Sequence, residues 1–163
     1  MPRIARRIST EGGRFFHVVT RGVEQRLIFL DDDDRCAFLD LLAEVVARHR
    51  WQLHAYCLMG NHVHLVIETT PAELSRGMHR LLFRYAQRFN ARYDRKGHLF
   101  AGRFGARVVR TLRYLANACI YVIWNPVRVG LCVAPHAWPW SGGRLLGRGP
   151  GVRAGPLAGP QPA

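Results

Sequence analysis

Lysine is almost missing from this chain. Lys96 is the only one among 24 basic residues, so arginine carries the positive charge. Acids are scarce as well, 11 against those 24, which leaves a net charge of +13. GC-rich coding accounts for arginine in place of lysine but not for the surplus. A surplus this large favours a polyanionic partner, nucleic acid first and anionic membrane second. Arginine suits bidentate contacts to phosphate. The four cysteines, Cys36, Cys57, Cys119 and Cys132, show no Cys-x-x-Cys spacing. That argues against a zinc knuckle and for reduced thiols in a cytoplasmic protein. No run of about eighteen apolar residues occurs, so no transmembrane helix is expected. Met1 to Arg7 is basic without an apolar stretch behind it, unlike a secretory signal. A basic arm on nucleic acid and a solvated tail fit those residues equally. No P-loop motif and no internal repeat is present.

The 163 residues suffice for one domain with a sizeable core. Phe15 to Thr20, closed by Arg21-Gly22, reads as a first strand. Asp31 to Asp34 makes an acidic helix start, where capping is a better-founded role than a metal cluster. Phe38, Leu39, Leu42, Val45, Val46 and His49 follow at helical spacing, with the helix ending near Arg50. Trp51 to Leu58 is a second strand. Gly60-Asn61 turns it into a third, forming a hairpin. Pro71 opens a long helix with an apolar stripe of Leu74, Met78, Leu81, Leu82, Tyr85 and Phe89. Arg76, Arg80, Arg84, Arg88 and Arg92 form a ridge on another face. Only Glu73 and Asp94 flank that ridge in sequence, which favours phosphate binding over a solvated face. Gly97 to Phe104 is a glycine-bounded loop that either stacks bases and holds phosphates or packs as a connector. Ala106 to Arg110 is a last strand. Thr111 caps a third helix, from Leu112 to about Trp124, halted by Pro126. The segment of Trp138 and Trp140 is expected to fold back on the domain. Residues 1–147 thus read as one domain, and 148–163 as a disordered Gly/Pro-rich tail. The order strand, helix, strand, strand, helix, strand matches the α+β, ferredoxin-like βαββαβ antiparallel sheet, with an added C-terminal helix. That fold alone decides no function.

The chemistry centres on His62-Val63-His64. Two strand residues two apart share a face, so both imidazoles project together while Val63, Leu65 and Ile67 face a core. Such a pair can chelate a divalent metal that needs a third ligand, although packed strand histidines are the commoner case. Tyr121 and Asn125 lie four apart on the third helix, hence on one face. If this helix crosses the sheet face carrying the histidines, Asn125 can offer an amide oxygen and Tyr121 stands one turn away. A phenol, with a pKa of about 10, is a poor nucleophile at neutral pH. A metal that polarises the phosphate offsets this, and tyrosine then serves as a covalent nucleophile. By spacing alone, a core aromatic with a satisfied hydroxyl fits Tyr121 better.

Several motifs together shift that balance. They are His17-Val18-Val19-Thr20-Arg21-Gly22, Met59 to Val66, Phe89 to Tyr93, Lys96 to Phe100 with Gly102 to Phe104, Tyr121 to Leu131, and Trp138-Pro139-Trp140-Ser141. With them, over roughly residues 13 to 146, the sequence resembles the REP-associated tyrosine transposases, a branch of the single-tyrosine, His-hydrophobic-His (HUH) transposase superfamily. The resemblance implies that His62 and His64 bind a divalent cation. It implies that Tyr121 attacks a phosphodiester in single-stranded DNA, leaving a 5′-phosphotyrosine and a 3′-hydroxyl. Asn125 takes the place of a third ligand that is often glutamine in related enzymes. Tyr114, two turns earlier on roughly the same face, is a minor alternative nucleophile. The implied substrate is single-stranded or hairpin-forming repeat DNA, held by Arg21, Arg80, Arg84, Arg88, Arg92 and Arg103. Two imidazoles and an amide oxygen suit Mn2+ on softness grounds, and cellular abundance favours Mg2+. The implied assembly is a monomer or homodimer, nucleoid-associated, with no membrane partner. Two other classes compete: a basic domain that binds structured DNA or RNA without cutting it, and a metal-dependent hydrolase using His62, His64 and Glu68.

Overall fold

A computed structural model describes residues 14–147 of the chain. The basic N-terminal segment and the tail from residue 148 lie outside the described residues. Strands β1 (Phe15–Arg21), β2 (Gln52–Leu58), β3 (His62–Glu68), β4 (Gly105–Val109) and β5 (Ser141–Gly142) form one sheet in the order β4-β1-β3-β2-β5. Every neighbouring pair is antiparallel. Helices α1 (Asp32–Arg48), α2 (Pro71–Arg92) and α3 (Leu112–Arg128) complete the domain. The first six elements make the expected ferredoxin-like arrangement. The two-residue β5, beside β2, is an addition that the sequence pattern is too short to signal.

Alternation along the strands assigns the faces. Phe16, Val18, Val63, Leu65 and Ile67 join Phe38, Leu42, Val45, Leu74, Met78, Leu81 and Tyr85 in one apolar core between the sheet and the pair α1/α2. A smaller core on the opposite face joins Ala55, Cys57 and Val66 to Cys119, Val122 and Ile123 of α3. The histidine face of β3 is therefore the face that α3 covers. The indole ring of Trp51 comes so close to α2 at Gly77 that a Cβ there would lie 2.2 Å from its Cζ2.

The acidic run acts as a cap. Asp31 accepts from the Asp34 backbone N–H, at 3.0 Å, and three aspartates occupy the first turn. Asp34 is itself buried and accepts from Leu30 N–H, Tyr93 O–H and Arg92. The third helix runs further than Pro126 predicts. Only its last turn follows the proline, so the ring deletes one helical hydrogen bond near an end that frays anyway. The last turn is closed by Val129 N–H to Asn125 and Leu131 N–H to Pro126 carbonyls. Asn125 and Arg128 are thereby helical residues. The Trp138–Trp140 segment folds back as expected: Trp138 Nε1 donates to the Leu58 carbonyl at 3.1 Å, and Leu58 N–H donates to that of Trp140 at 2.8 Å.

Candidate active site

The antiparallel register of β1 against β3 sets Val19 opposite His64 and Arg21 opposite His62. His17 is thus diagonal to His64 on the same face. Its Nε2 lies 3.0 Å from His64 Nδ1, and the two rings stack at 5.3 Å. The His62 and His64 rings are 4.9 Å apart. A third imidazole, outside the His-x-His motif, therefore completes the histidine cluster. Its signal in the sequence is alternation: Phe16, Val18 and Thr20 face one core, so His17 must face the other way. Only the strand register brings it to His64.

Each histidine of the pair has its Nδ1 engaged. Asn61 Nδ2 donates to the Gln25 carbonyl at 3.2 Å, which turns its Oδ1 toward His62 Nδ1 at 2.6 Å. An amide oxygen only accepts, so His62 Nδ1 carries the proton and Nε2 keeps a free lone pair. When His64 Nδ1 donates to His17, its Nε2 is likewise free. Burial holds all three imidazoles below the usual histidine range, helped by the positive charges of Arg107 near His17 and Arg21 near His62. His62 is pushed down to about 4 and His64 to about 3. Neutral imidazoles with open Nε2 atoms and engaged Nδ1 atoms are the donor set a divalent cation requires. Among the described residues no group of three or more His, Cys, Asp or Glu is disposed to hold a metal ion. Further ligands would have to come from an amide, water or substrate.

Tyr121 stands over this cluster. Its ring packs edge-on against both His17 and His64, each at 5.8 Å, and the side chain is 43% exposed. It is neither buried nor shielded as a core aromatic would be. The Arg128 guanidinium sits over the same ring, 4.7 Å from its centroid. Asn125 is buried, and its Nδ2 makes a long 3.4 Å bond to the Tyr121 carbonyl, which leaves Oδ1 for another partner. Tyr114 is exposed and shares a cleft with Tyr121.

The arginines divide between two faces. Arg21 adjoins His62 at the end of β1. Arg80 and Arg84 bind Glu44, and Arg92 binds Asp31, Asp33 and Asp34. Arg76 binds Glu73. The ridge expected to lack acids is therefore supplied with them by α1, distant in sequence but packed alongside. It also lies behind the sheet, away from Tyr121. Arg88 and Arg103 are exposed, with no ion pair among the described residues. In the Gly97–Phe104 loop, Leu99 and Phe100 are buried and Gly22 bridges to Phe100, so the connector role is realised there. Three arginines to which the sequence reading gave no role, Arg107, Arg110 and Arg128 (the last within the Tyr121–Leu131 motif), line the cleft beside Tyr121. For Arg128 the signal was its place two helical turns after Tyr121. Glu68 is tied to Arg14 at 2.5 Å and His54 at 3.0 Å. It lies at the other end of β3, about 20 Å of strand from His62, which leaves the hydrolase reading without its acid.

The sheet thus displays a histidine pair under a tyrosine-bearing helix, and comparison with known proteins assigns the chain to a family. Residues 14–123 match the IS200-like transposase family, and the chain belongs to that family. It is similar to a REP-associated tyrosine transposase of Haemophilus influenzae, 24% identical over 147 residues, covering 83% of this chain and 82% of the relative. Among solved structures it is similar to a REP-associated tyrosine transposase bound to a REP hairpin, with TM-score 0.64, 17% identity, and 86% of this chain and 82% of that one covered. A transposase structure from Deinococcus radiodurans aligns more loosely, with TM-score 0.49 and 17% identity over 75% of this chain and 95% of that one.

Proposed function

We propose that this protein cleaves and rejoins single-stranded, hairpin-forming repeat DNA through a covalent 5′-phosphotyrosine on Tyr121. The observation that carries the reading is the seat of Tyr121: a half-exposed phenol held edge-on over His64 and His17, beneath a guanidinium. His62 and His64 would hold a divalent cation, Mg2+ or Mn2+, through Nε2, and Asn125, buried on α3 one turn from Tyr121, would offer its Oδ1 as a third ligand. That ion would supply charge neutralisation at a non-bridging phosphate oxygen.

The chain's own groups do the remainder. Packing against the two imidazoles limits the Tyr121 ring and sets the direction of its hydroxyl. The Tyr121 oxygen loses its proton and forms a bond to phosphorus. The bond from phosphorus to the 3′ oxygen breaks, and that oxygen gains a proton. Neither water nor a nucleotide is consumed, and a second 3′-hydroxyl reverses the step. Arg128 places positive charge beside the phosphate as it forms the ester, and Arg21 does so beside His62. The structurally similar REP-associated tyrosine transposase is bound to a REP hairpin, which supports a hairpin substrate here. Of the ridge, Arg88 alone makes no ion pair among the described residues, and it is exposed.

The test is a denaturing gel of the protein with end-labelled hairpin DNA from repeats near its own gene, with Mg2+ or Mn2+, beside Tyr121→Phe. A labelled protein band that needs both metal and Tyr121 supports the reading. Tight binding with no adduct, across several repeats and both metals, would replace it with a binding module.

A further inference from the structure

A cleft of about 680 Å3 runs between β4 and α3 and ends at Tyr121. Arg107, Arg110 and Arg128 line it together with Tyr114, Asn117 and Val109. No acid lines it, and none of the three arginines pairs with a described carboxylate. This differs from the α2 ridge, where acids already occupy most guanidinium groups. Tyr114 is 64% exposed, in a cleft that it shares with three arginines. Its place in the fold is secured by backbone, since Thr111 caps the helix by accepting from Tyr114 N–H. The ring itself is left with an open face.

We propose that this cleft binds the unpaired nucleotides that adjoin the scissile phosphate, with a base stacked on Tyr114 and backbone phosphates on Arg107 and Arg110. An exposed aromatic between unpaired arginines is the pattern that tracks single strands, because every base offers a flat face and every linkage a charge. Capacity argues for a single strand: a cleft of this size takes a drug-sized ligand, hence roughly one or two nucleotides, and admits no duplex. Continuity argues for DNA of the same substrate, since Tyr121 and Arg128 belong both to the cleft and to the reacting site. Asn117, in the same cleft, has donors and acceptors for a base edge. The proposal rests on the reading of Tyr121 as nucleophile, and it adds where the strand runs and what holds it.

The experiment uses the full chain and fluorescence anisotropy. The probes are a blunt DNA hairpin and the same hairpin with a pair of unpaired thymidines at its 5′ or its 3′ foot, each also made with abasic sites. In the wild type, one extension should raise affinity roughly fivefold or more per stacked base. Tyr114→Ala should abolish the part of that gain that needs bases and leave the blunt hairpin's affinity unchanged, whereas Tyr114→Phe should retain it. Arg110→Ala should reduce the gain from thymidine and abasic extensions alike. An equal gain in wild type, Tyr114→Ala and Arg110→Ala, or no gain from either extension, overturns the proposal. The covalent adduct is scored in parallel. Adduct formation with an extension response indifferent to both variants removes the cleft and leaves the nucleophile. An extension response that both variants weaken in these ways, without any adduct, removes the nucleophile and leaves the cleft.

Discussion

Replacing His17 by Ala should loosen metal binding without removing a ligand. In the folded chain His17 Nε2 is the partner of His64 Nδ1, at 3.0 Å. When His64 Nδ1 is the donor in that contact, His64 Nε2 is left bare, and the contact holds the ring's angle to His62. Losing an outer partner of a ligating histidine typically costs 10- to 100-fold in metal affinity, or about 1.4–2.7 kcal/mol. Asn61→Ala should act alike on His62, whose Nδ1 it holds at 2.6 Å. The double variant should lose at most the product of the two factors, since both rings would serve one ion and such effects couple. The assay is titration of Mn2+ into the DNA-free protein, followed by electron paramagnetic resonance of the free ion. Imidazole 15N shifts in the same metal-free samples report the tautomers directly. Wild-type affinity in both single variants would refute the reasoning, as would protonated Nε2 atoms on His62 in the wild type.

Three further outcomes follow from particular contacts. Asp34→Ala should destabilise the fold by about 3 kcal/mol, because it orphans a buried N–H, a tyrosine hydroxyl and a guanidinium together. Thermal melting should fall by roughly 6–12 °C, and an unchanged melting point would contradict the burial argument. Acid should weaken the metal-free fold before the carboxylates titrate. Folded His62 and His64 protonate only near 4 and 3, while the unfolded chain takes up those protons near pH 6.5. The unfolded state therefore binds more protons below pH 6.5, and stability should drop as pH falls from there toward 4. A melting temperature flat across that window would contradict the assignment. Arg128→Ala should slow adduct formation far more than Arg88→Ala, since only the former touches Tyr121. Equal slowing in a single-turnover gel assay would count against that geometry.

Local pattern makes much of this molecule legible from its sequence. The alternation of His62-Val63-His64-Leu65 and the stripe from Leu74 to Phe89 specify which face each element buries, and the structure follows both. The Thr111 cap and the spacing of Tyr121 to Asn125 place the tyrosine-bearing helix correctly. Misreadings arise where two distant segments meet. Glu44 lies 36 residues from Arg80 and Asp31 lies 61 from Arg92, so the ridge looks unpaired from its own helix. His17 looks like one residue of a strand motif until the register sets it against His64. Pro126 reads as a stop because the local rule for proline is strong. So near a helix end the rule costs little, and Arg128 reaches Tyr121 for that reason.

The most direct test of the central claim is to locate the attached nucleotide within the protein. After reaction with hairpin DNA and metal, nuclease and trypsin digestion would release the peptide from Tyr114 to Arg128, which contains both exposed cleft tyrosines. Fragmentation in the mass spectrometer should assign the nucleotide's mass to Tyr121. The same mass on Tyr114, or on no residue of this peptide while cleavage proceeds, would contradict the account.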